Sequence, residues 1–578
     1  MIILGLSGAV SHDPSAALLV DGELVAAVEE ERLLRDKHAK GRQAELAARW
    51  CLQEAGIRPE QVDHVAYPYA PIPLWRADRW HYARRHWYAP DRALQALLDG
   101  NRRFRRNRRA VLALLDRLGF REPARRFVPV EHHQAHASSA YHLAPFAAGE
   151  GPVAILGLDG KGEYASTFLG YGEGGAIHGL RSFYDPDSLG GLYGALTEYL
   201  GFEMLDGEFK VMGMAPYGDP RRFDFSRLIA HDGRGFRVNN RLVNVVGTRR
   251  YKADGRGRFF SPALVDWLGA PRHGDEIDDP YVDYAAAVQA LLEEVVVGLV
   301  QHWLTPVLER GGGRLCMAGG VALNVKLNQR LLALPQVREL FVQPAASDAG
   351  TALGAATQVA VWHGERVQPL RHAYLGPAYS SEQCLAACAA DPRASHYARV
   401  ADPVAEAADL LAAGHPLAWL QGHMEFGPRA LGNRSILGNP ALPGVADRIN
   451  AQIKYRERWR PFCPSVAPHV AADLIGTDHP APYMTLTFDV SPQWRARIPQ
   501  VVHEDGTARV QIVDPKANPR YHELLLAMEA RTGNAVLLNT SLNRRGEPMV
   551  CSPEDALEMF YNCDLQYLMM EDVLVRKA

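Results

Sequence analysis

The chain has 578 residues, 47% of them hydrophobic, with 63 Lys and Arg against 66 Asp and Glu and a formal net charge of −3. That length exceeds one ordinary core and asks for two or more domains. The near balance of charge excludes any general attraction to nucleic acid or to an anionic membrane.

The opening, Met1-Ile-Ile-Leu-Gly-Leu-Ser-Gly, has no basic leader and predicts a strand, not a signal peptide. After it come Ser11-His12-Asp13 and two further strands across an Asp21-Gly22 hairpin. His12 should face the cleft beside the first strand. There it is either a general base on a hydroxyl, with Asp13 as its neighbour, or a histidine capping a helix or a turn. Lys37, in Arg35-Asp-Lys-His, either reaches the same cleft or stays in solvent.

The strand at residues 2–8 returns at 154–160 as Ala-Ile-Leu-Gly-Leu-Asp-Gly, again followed by strand, turn and strand. A buried strand, tight loop and hairpin appearing twice predict two similar α/β lobes around a cleft, the usual place for a ligand. Helical patterns follow each lobe, at Ala44 to Ala55 and Asp283 to Leu308. The second is interrupted by Gln301, His302 and Pro306 and cannot span a bilayer. Residues 76–126 carry Arg102-Arg-Phe-Arg-Arg-Asn-Arg-Arg with aromatics upstream. Such a pattern can bind RNA, but Leu112, Leu114, Leu115 and Leu118 favour an inserted amphipathic helix with a solvated basic face. It can also line an acceptor pocket.

Glu131-His-His-Gln-Ala-His-Ala places His132 and His136 four apart, one turn apart on one helix face. With Asp159, and Asp348 in Ser347-Asp-Ala-Gly, they make a nitrogen/oxygen set for a divalent transition metal. Alone, the pair would read as histidines packed at a helix N-terminus; the carboxylates favour the metal. Gly319 and Gly320 follow an apolar strand and open a helix, a weak phosphate signal. The segment from Val367 to Tyr379, with two prolines and no helical period, connects to a second domain. That domain holds an Ala-rich helix from Pro403, a strand at Pro416 to Leu420 and another at Ala535 to Leu538.

The second domain is dense in anion-binding residue types: Arg429, Arg434, Lys454, Arg456, Arg460, Arg509 and the donors of Asn539-Thr-Ser-Leu-Asn. Guanidinium forks suit bidentate phosphate and lysine acts as a point charge. The seven cysteines are scattered, with Cys384 and Cys388 in a helical pattern and no CxxC pair, which fits a reducing cytoplasm.

These segments, with Phe209-Lys-Val-Met-Gly-Met-Ala-Pro-Tyr-Gly, Gly319-Gly-Val-Ala-Leu-Asn, Gly427-Pro-Arg-Ala-Leu-Gly-Asn-Arg-Ser and Lys454-Tyr-Arg-Glu-Arg-Trp-Arg-Pro-Phe, resemble the O-carbamoyltransferase family of the nodulation-factor, cephamycin and tobramycin enzymes. The resemblance runs over nearly the whole chain. It implies an α/β protein with a two-lobed, actin-like ATPase (Kae-like) domain at 1–366, carrying the insertion at about 76–126, and an α/β YrdC-like domain at 375–578. It implies that the YrdC-like domain makes carbamoyl-adenylate from carbamoyl phosphate and ATP with Mg²⁺. The Kae-like domain, holding Fe²⁺ or another divalent transition metal, then passes the carbamoyl group to a hydroxylated small molecule, in the manner of antibiotic biosynthesis.

By motif match His132, His136, Asp159 and Asp348 resemble the metal ligands and His12 the general base. Arg429, Lys454, Arg460, Arg509, Asn539 and Ser541 resemble the carbamoyl phosphate and ATP set. Lys37, Gly160, Lys210, Gly319, Gly320 and Asn324 resemble the positions around the nucleotide or carbamoyl-adenylate beside the metal. A threonylcarbamoyl-type tRNA modification enzyme is the alternative, since it uses the same pair of domain types. Neither membrane nor nucleic acid is expected as a partner, and acceptor and oligomeric state stay open.

Overall fold

The short repeat marks two sheets of one design. In the first, Ile2–Leu6 pairs antiparallel with Ser15–Val20 and parallel with His64–Tyr67, and Glu23–Glu29 and Phe127–Pro129 form the edges. In the second, Val153–Leu158 pairs antiparallel with Ala165–Glu173 and parallel with Arg314–Ala318, and Glu339–Val342 and Ala176–Tyr184 form the edges. The central strands are apolar throughout, as strands covered on both faces must be.

The computed structural model describes residues 1–8, 12–87, 89–146, 151–243, 259–274, 276–455, 457 and 459–577. The chain divides into two units, 1–25 with 41–370, and 26–40 with 371–578. The boundary at Leu370 and Arg371 falls inside the proline-containing connection, whereas no motif marks residues 26–40 as part of the second unit. Backbone and side-chain bonds within that unit explain it. Ala27 N–H donates to Leu375 O at 2.9 Å, Gly427 N–H to Glu29 Oε1 at 2.8 Å, and Arg32 Nη2 to Gly427 O at 3.1 Å. Arg35 Nη1 donates to Met549 O at 2.6 Å.

Within the first unit, the helices His132–Tyr141 and Thr351–Trp362 lie back to back. Gly354 is obligatory at their crossing, because a Cβ there would stand 1.8 Å from Ala135 O. Ser138 Oγ and Thr357 Oγ1 meet at 2.8 Å, and Gln134 donates to Gln358 at 2.8 Å. Ala355, Ala356 and Val359 bury the other face of Thr351–Trp362 against Ile3, Leu19 and Ala66 of the first sheet. At roughly 25 cal/mol per Å² of apolar surface, such burial fixes both helix starts firmly.

The insertion is not one helix but four: Ala77–Arg85, Pro90–Asp99, Arg102–Arg117 and Pro123–Arg126. Pro90, Gly100 and Pro123 punctuate it. Ile72, Tyr82, Ala96 and Tyr164 form its small core. The longest helix buries Val111, Leu114 and Leu115, so the apolar stripe is real. The helix expected from Asp283 to Leu308 is split into Tyr281–Leu299, a π-helical turn Val300–Leu304, and Thr305–Arg310. Pro306 lacks the donor that a regular helix needs there. Among the described residues no helix is long and apolar enough to cross a membrane.

The second unit is built on an eight-stranded mixed sheet. Leu417–Leu420, Arg434–Gly438, Val536–Ser541 and Cys463–Val466 are its consecutive central strands. The helices Pro403–Ala412 and Pro519–Thr532 cover one face, burying Leu411, Tyr521, Leu525 and Met528 with Trp419 and Leu537. All seven cysteines are free and buried.

Candidate metal centre and anion-binding cluster

Two helix starts and one strand end deliver the candidate ligands of the first unit. His132 is the first residue of its helix, whose N-terminus is capped by Glu131 accepting from Gln134 N–H at 2.9 Å. One turn later His136 leaves the same face, while His133 points elsewhere and burial holds its imidazole low, at about 4. Asp159 ends the strand Val153–Leu158, and Asp348 opens the turn before Thr351–Trp362. One donor atom from each of His132, His136, Asp159 and Asp348 lies within 4.8 Å of the others.

The cluster is oriented from behind. His132 Nδ1 lies 3.3 Å from Pro68 O, which assigns the proton to Nδ1 and leaves Nε2 bare. That Nε2 is 3.1 Å from His136 Nε2, 3.4 Å from Asp159 Oδ2 and 3.5 Å from Asp348 Oδ1. Asp159 is fixed by Gly320 N–H on Oδ1 and Lys161 N–H on Oδ2, each at 3.1 Å. Gly319 has φ +96°, and a Cβ there would meet Leu158 O at 2.1 Å. The glycine pair therefore does a local job: it brings a backbone donor onto the carboxylate of Asp159, a candidate metal ligand. It opens a 3₁₀ turn, Gly320–Leu323, rather than the helix itself, which Asn324 caps by accepting from Leu327 N–H at 3.0 Å.

Burial alone would lower the His132 imidazole, but the Asp348 and Asp159 carboxylates outweigh it and hold it well above its ordinary value. Burial would likewise raise Asp348, and the His132, His136 and His12 rings hold it well below the usual carboxylate range instead. Two nitrogens facing each other across 3.1 Å can share one proton, and with two carboxylates around them the same four groups could hold a cation in its place. Two imidazoles and two carboxylates suit iron, manganese or zinc, so the residues fit a divalent transition metal.

His12 lies outside any helix, with Nδ1 3.0 Å from Asp13 Oδ2. The helix-capping reading therefore has no helix to cap among the described residues, and the turn-capping reading stays open beside that of a base. Burial lowers its affinity for a proton, but Asp13, Asp348 and Asp159 together raise it above the ordinary value. The geometry leaves Nε2 as the acceptor, the arrangement of a base oriented by a carboxylate.

The remaining expected residues of this set have partners of their own. Gly160 O accepts from Ser188 Oγ at 2.7 Å. Lys210, on Glu208–Met214, lies with its ammonium 5.2 Å from the Phe202 ring centroid. Asn324 exchanges hydrogen bonds with Gln289. Lys37 lies in the segment that belongs to the second unit.

Residues the sequence reading passed over line the cluster's rear. Glu163 is buried, accepts from Ala70 N–H at 2.7 Å, and sits 3.3 Å from His132 N. Burial and the Glu131 carboxylate push its carboxyl up. The only sequence signal was an acid four residues beyond Asp159.

In the second unit, Arg429, Arg460 and Arg509 act on one another. Burial and the like charges of Arg509 and Arg460 hold the Arg429 guanidinium well below its usual value. Arg509 Nε donates to Cys463 Sγ at 3.1 Å. Such crowded cations invite an anion. Lys454 is buried and donates to Ser541 Oγ at 3.2 Å and to Asn543 Oδ1 at 2.8 Å, so it ties the end of the central strand to the next loop. Asn539 spends its amide protons on Ala430 O, Ser465 Oγ and Gln511 Oε1.

Arg434 is a correction. Its guanidinium is fully buried and donates to the carbonyls of Cys551, Gln421, Gly422, Asn433 and Pro377, so it is an internal brace and no anion donor. Arg456 lies outside the described residues.

The chain resembles known proteins over both of its units. The family description "Carbamoyltransferase N-terminus" matches residues 2–357, and "Carbamoyltransferase C-terminus" matches residues 408–577. The nodulation protein NolNO of Sinorhizobium fredii is 36% identical, over 100% of this chain and 83% of that protein. The nodulation protein NolO of Bradyrhizobium diazoefficiens is 37% identical, over 78% of this chain and 79% of its own. Among solved structures, the ROK hexokinase of Thermus thermophilus aligns over 63% of this chain and 100% of its own, at 14% identity and a TM-score of 0.28, too slight a likeness to carry an argument. With both halves matched and near-full-length relatives above 30% identity, the chain belongs to the carbamoyltransferase family, and the protein is a carbamoyltransferase.

Proposed function

We propose that this carbamoyltransferase is an ATP-dependent O-carbamoyltransferase working in two stages. In the second unit, water cleaves carbamoyl phosphate to carbamate and phosphate, and a carbamate oxygen then bonds to the α-phosphorus of MgATP as the bond to pyrophosphate breaks, giving carbamoyl-adenylate. In the first unit, the carbamoyl group passes to a hydroxyl of a small natural-product acceptor. The observation that supports this reading best is the cluster of His132, His136, Asp159 and Asp348, whose two carboxylates also act on the partly buried His12.

The chemistry explains the two stages. A carbamate carbonyl is fed by nitrogen and oxygen and is a poor electrophile; joined to AMP it becomes a mixed anhydride with a stabilised leaving group. In the first stage Arg429, Arg460 and Arg509 hold phosphate oxygens and offset their charge. Lys454 keeps the Ser541 to Asn543 loop in place beside them. In the second stage His12 takes the acceptor's hydroxyl proton on Nε2 while Asp13 steadies the ring. The acceptor oxygen bonds to the carbamoyl carbon, the bond from that carbon to the adenylate oxygen breaks, and AMP leaves. A divalent ion held by His132, His136, Asp159 and Asp348, Fe²⁺ for preference, would supply Lewis-acid polarisation there.

Mass spectrometry of products from ATP, carbamoyl phosphate and a panel of hydroxylated natural products tests the reading. One CONH group gained by an acceptor, with one AMP formed, supports it. Formation of ADP, or modification of tRNA in place of any small acceptor, would replace it.

A further inference from the structure

One arginine of the basic insertion differs from its neighbours. Arg79, Arg85, Arg105 and Arg117 each bond carbonyls or carboxylates of the protein. Arg103, the second residue of the helix Arg102–Arg117, makes no hydrogen bond or ion pair with any described residue. Its guanidinium carbon instead stands 5.2 Å from the centroid of the Tyr69 ring, and Tyr69 is itself buried. Stacking on an aromatic face holds a guanidinium in place while leaving its five N–H donors available.

The position of Tyr69 gives this arginine its meaning. Pro68, one residue before, presents the carbonyl that faces His132 Nδ1 at 3.3 Å. Ala70, one residue after, donates its N–H to Glu163, whose other contact is the backbone of His132. A single three-residue segment thus orients a candidate metal ligand and seats Arg103. The charges of Asp348 and Glu163 both act on the arginine, so it shares the electrostatic environment of the cluster. It is a cation with unspent donors, held on the ring of Tyr69, one residue from the carbonyl that faces His132.

Resting on the two-stage reading above, we propose that Arg103 is the anion-binding residue of the transfer site, gripping a phosphate or carboxylate oxygen of the ligand seated beside His132 and Asp348. That anion comes from the donor, as the adenylate phosphate, or from an acidic group near the acceptor's hydroxyl. The insertion's role is then to place one cation over the reacting groups, with its other arginines serving solubility and packing.

The test uses the full chain with Arg103→Gln and Arg103→Lys, and Arg106→Gln as a matched substitution on the same helix. AMP binding is measured by calorimetry in an Arg509→Ala background, so that the second unit's cations do not contribute. Transfer is measured with neutral and with carboxylated or phosphorylated hydroxyl compounds. A charge-assisted bond predicts about a tenfold to hundredfold effect. If the anion is the adenylate phosphate, Arg103→Gln weakens AMP binding by that factor and slows transfer to every acceptor, and Arg103→Lys recovers part. If the anion is on the acceptor, AMP binding holds and only acidic acceptors lose. AMP affinity and transfer to both acceptor classes within twofold of Arg106→Gln would overturn the proposal. If the wild-type protein forms no pyrophosphate from ATP and carbamoyl phosphate, the two-stage reading fails, and AMP binding alone still decides whether Arg103 holds an anion.

Discussion

His132 Nε2 and His136 Nε2 face each other at 3.1 Å, with His132 committed through Nδ1 to the Pro68 carbonyl. Two lone pairs cannot rest at that distance without a proton or a metal cation between them. The pair is therefore arranged to share one proton or one divalent cation. The protein as purified without chelator should carry about one divalent transition ion per chain by elemental analysis. His136→Ala and Asp348→Asn should each lower that content, and transfer should fall by about 10² or more.

His12 acts as a base only when neutral, and its affinity for a proton is raised by Asp13, Asp348 and Asp159 against the lowering effect of burial. Transfer should therefore fall on the acid side along a limb set by a group above about 6.5, the ordinary imidazole value. Removing the Asp13 charge removes a raising influence, so Asp13→Asn should move that limb to lower pH. His12→Asn should remove transfer while pyrophosphate formation continues. A limb that ignores Asp13→Asn would assign it to another group.

Arg434 and Arg509 look alike in the sequence and should behave oppositely. Arg434→Ala leaves several buried carbonyls without their donor and should cost about 3 kcal/mol or more, seen as a large drop in Tm. Arg509→Ala relieves like charge on Arg429 and should leave Tm unchanged or higher. Pyrophosphate should raise the Tm of the wild-type protein and lose that effect in Arg509→Ala.

Gly319→Ala combines φ +96° with a Cβ 2.1 Å from Leu158 O. Moving that backbone would pull Gly320 N–H from Asp159 Oδ1. Thermal melts should show destabilisation of about 2 kcal/mol or more, and metal content should fall with it.

The paired sheets were legible because the strand, tight loop and hairpin at Ile2 and at Val153 repeat a buried apolar pattern that leaves few alternatives. The meeting of His132 and His136 was legible because HxxxH on a helix fixes its own geometry. What the sequence hid depends on long-range contact. Residues 26–40 join the second unit through bonds to Leu375, Gly427 and Met549, partners hundreds of positions away. Arg434 was misread because residue type cannot show whether a guanidinium meets solvent or carbonyls. Glu163 and Arg103 became visible only once Pro68, Tyr69 and Ala70 were seen to gather them beside His132.

The central claim is that activation and delivery belong to separate sets of residues in the two units. Carbamoyl-phosphate-dependent exchange of labelled pyrophosphate into ATP reads activation alone. Exchange is expected in the wild-type protein, near-normal exchange in His136→Ala, and loss in Arg509→Ala. Exchange lost equally in both variants, or absent from the wild-type protein, would contradict it.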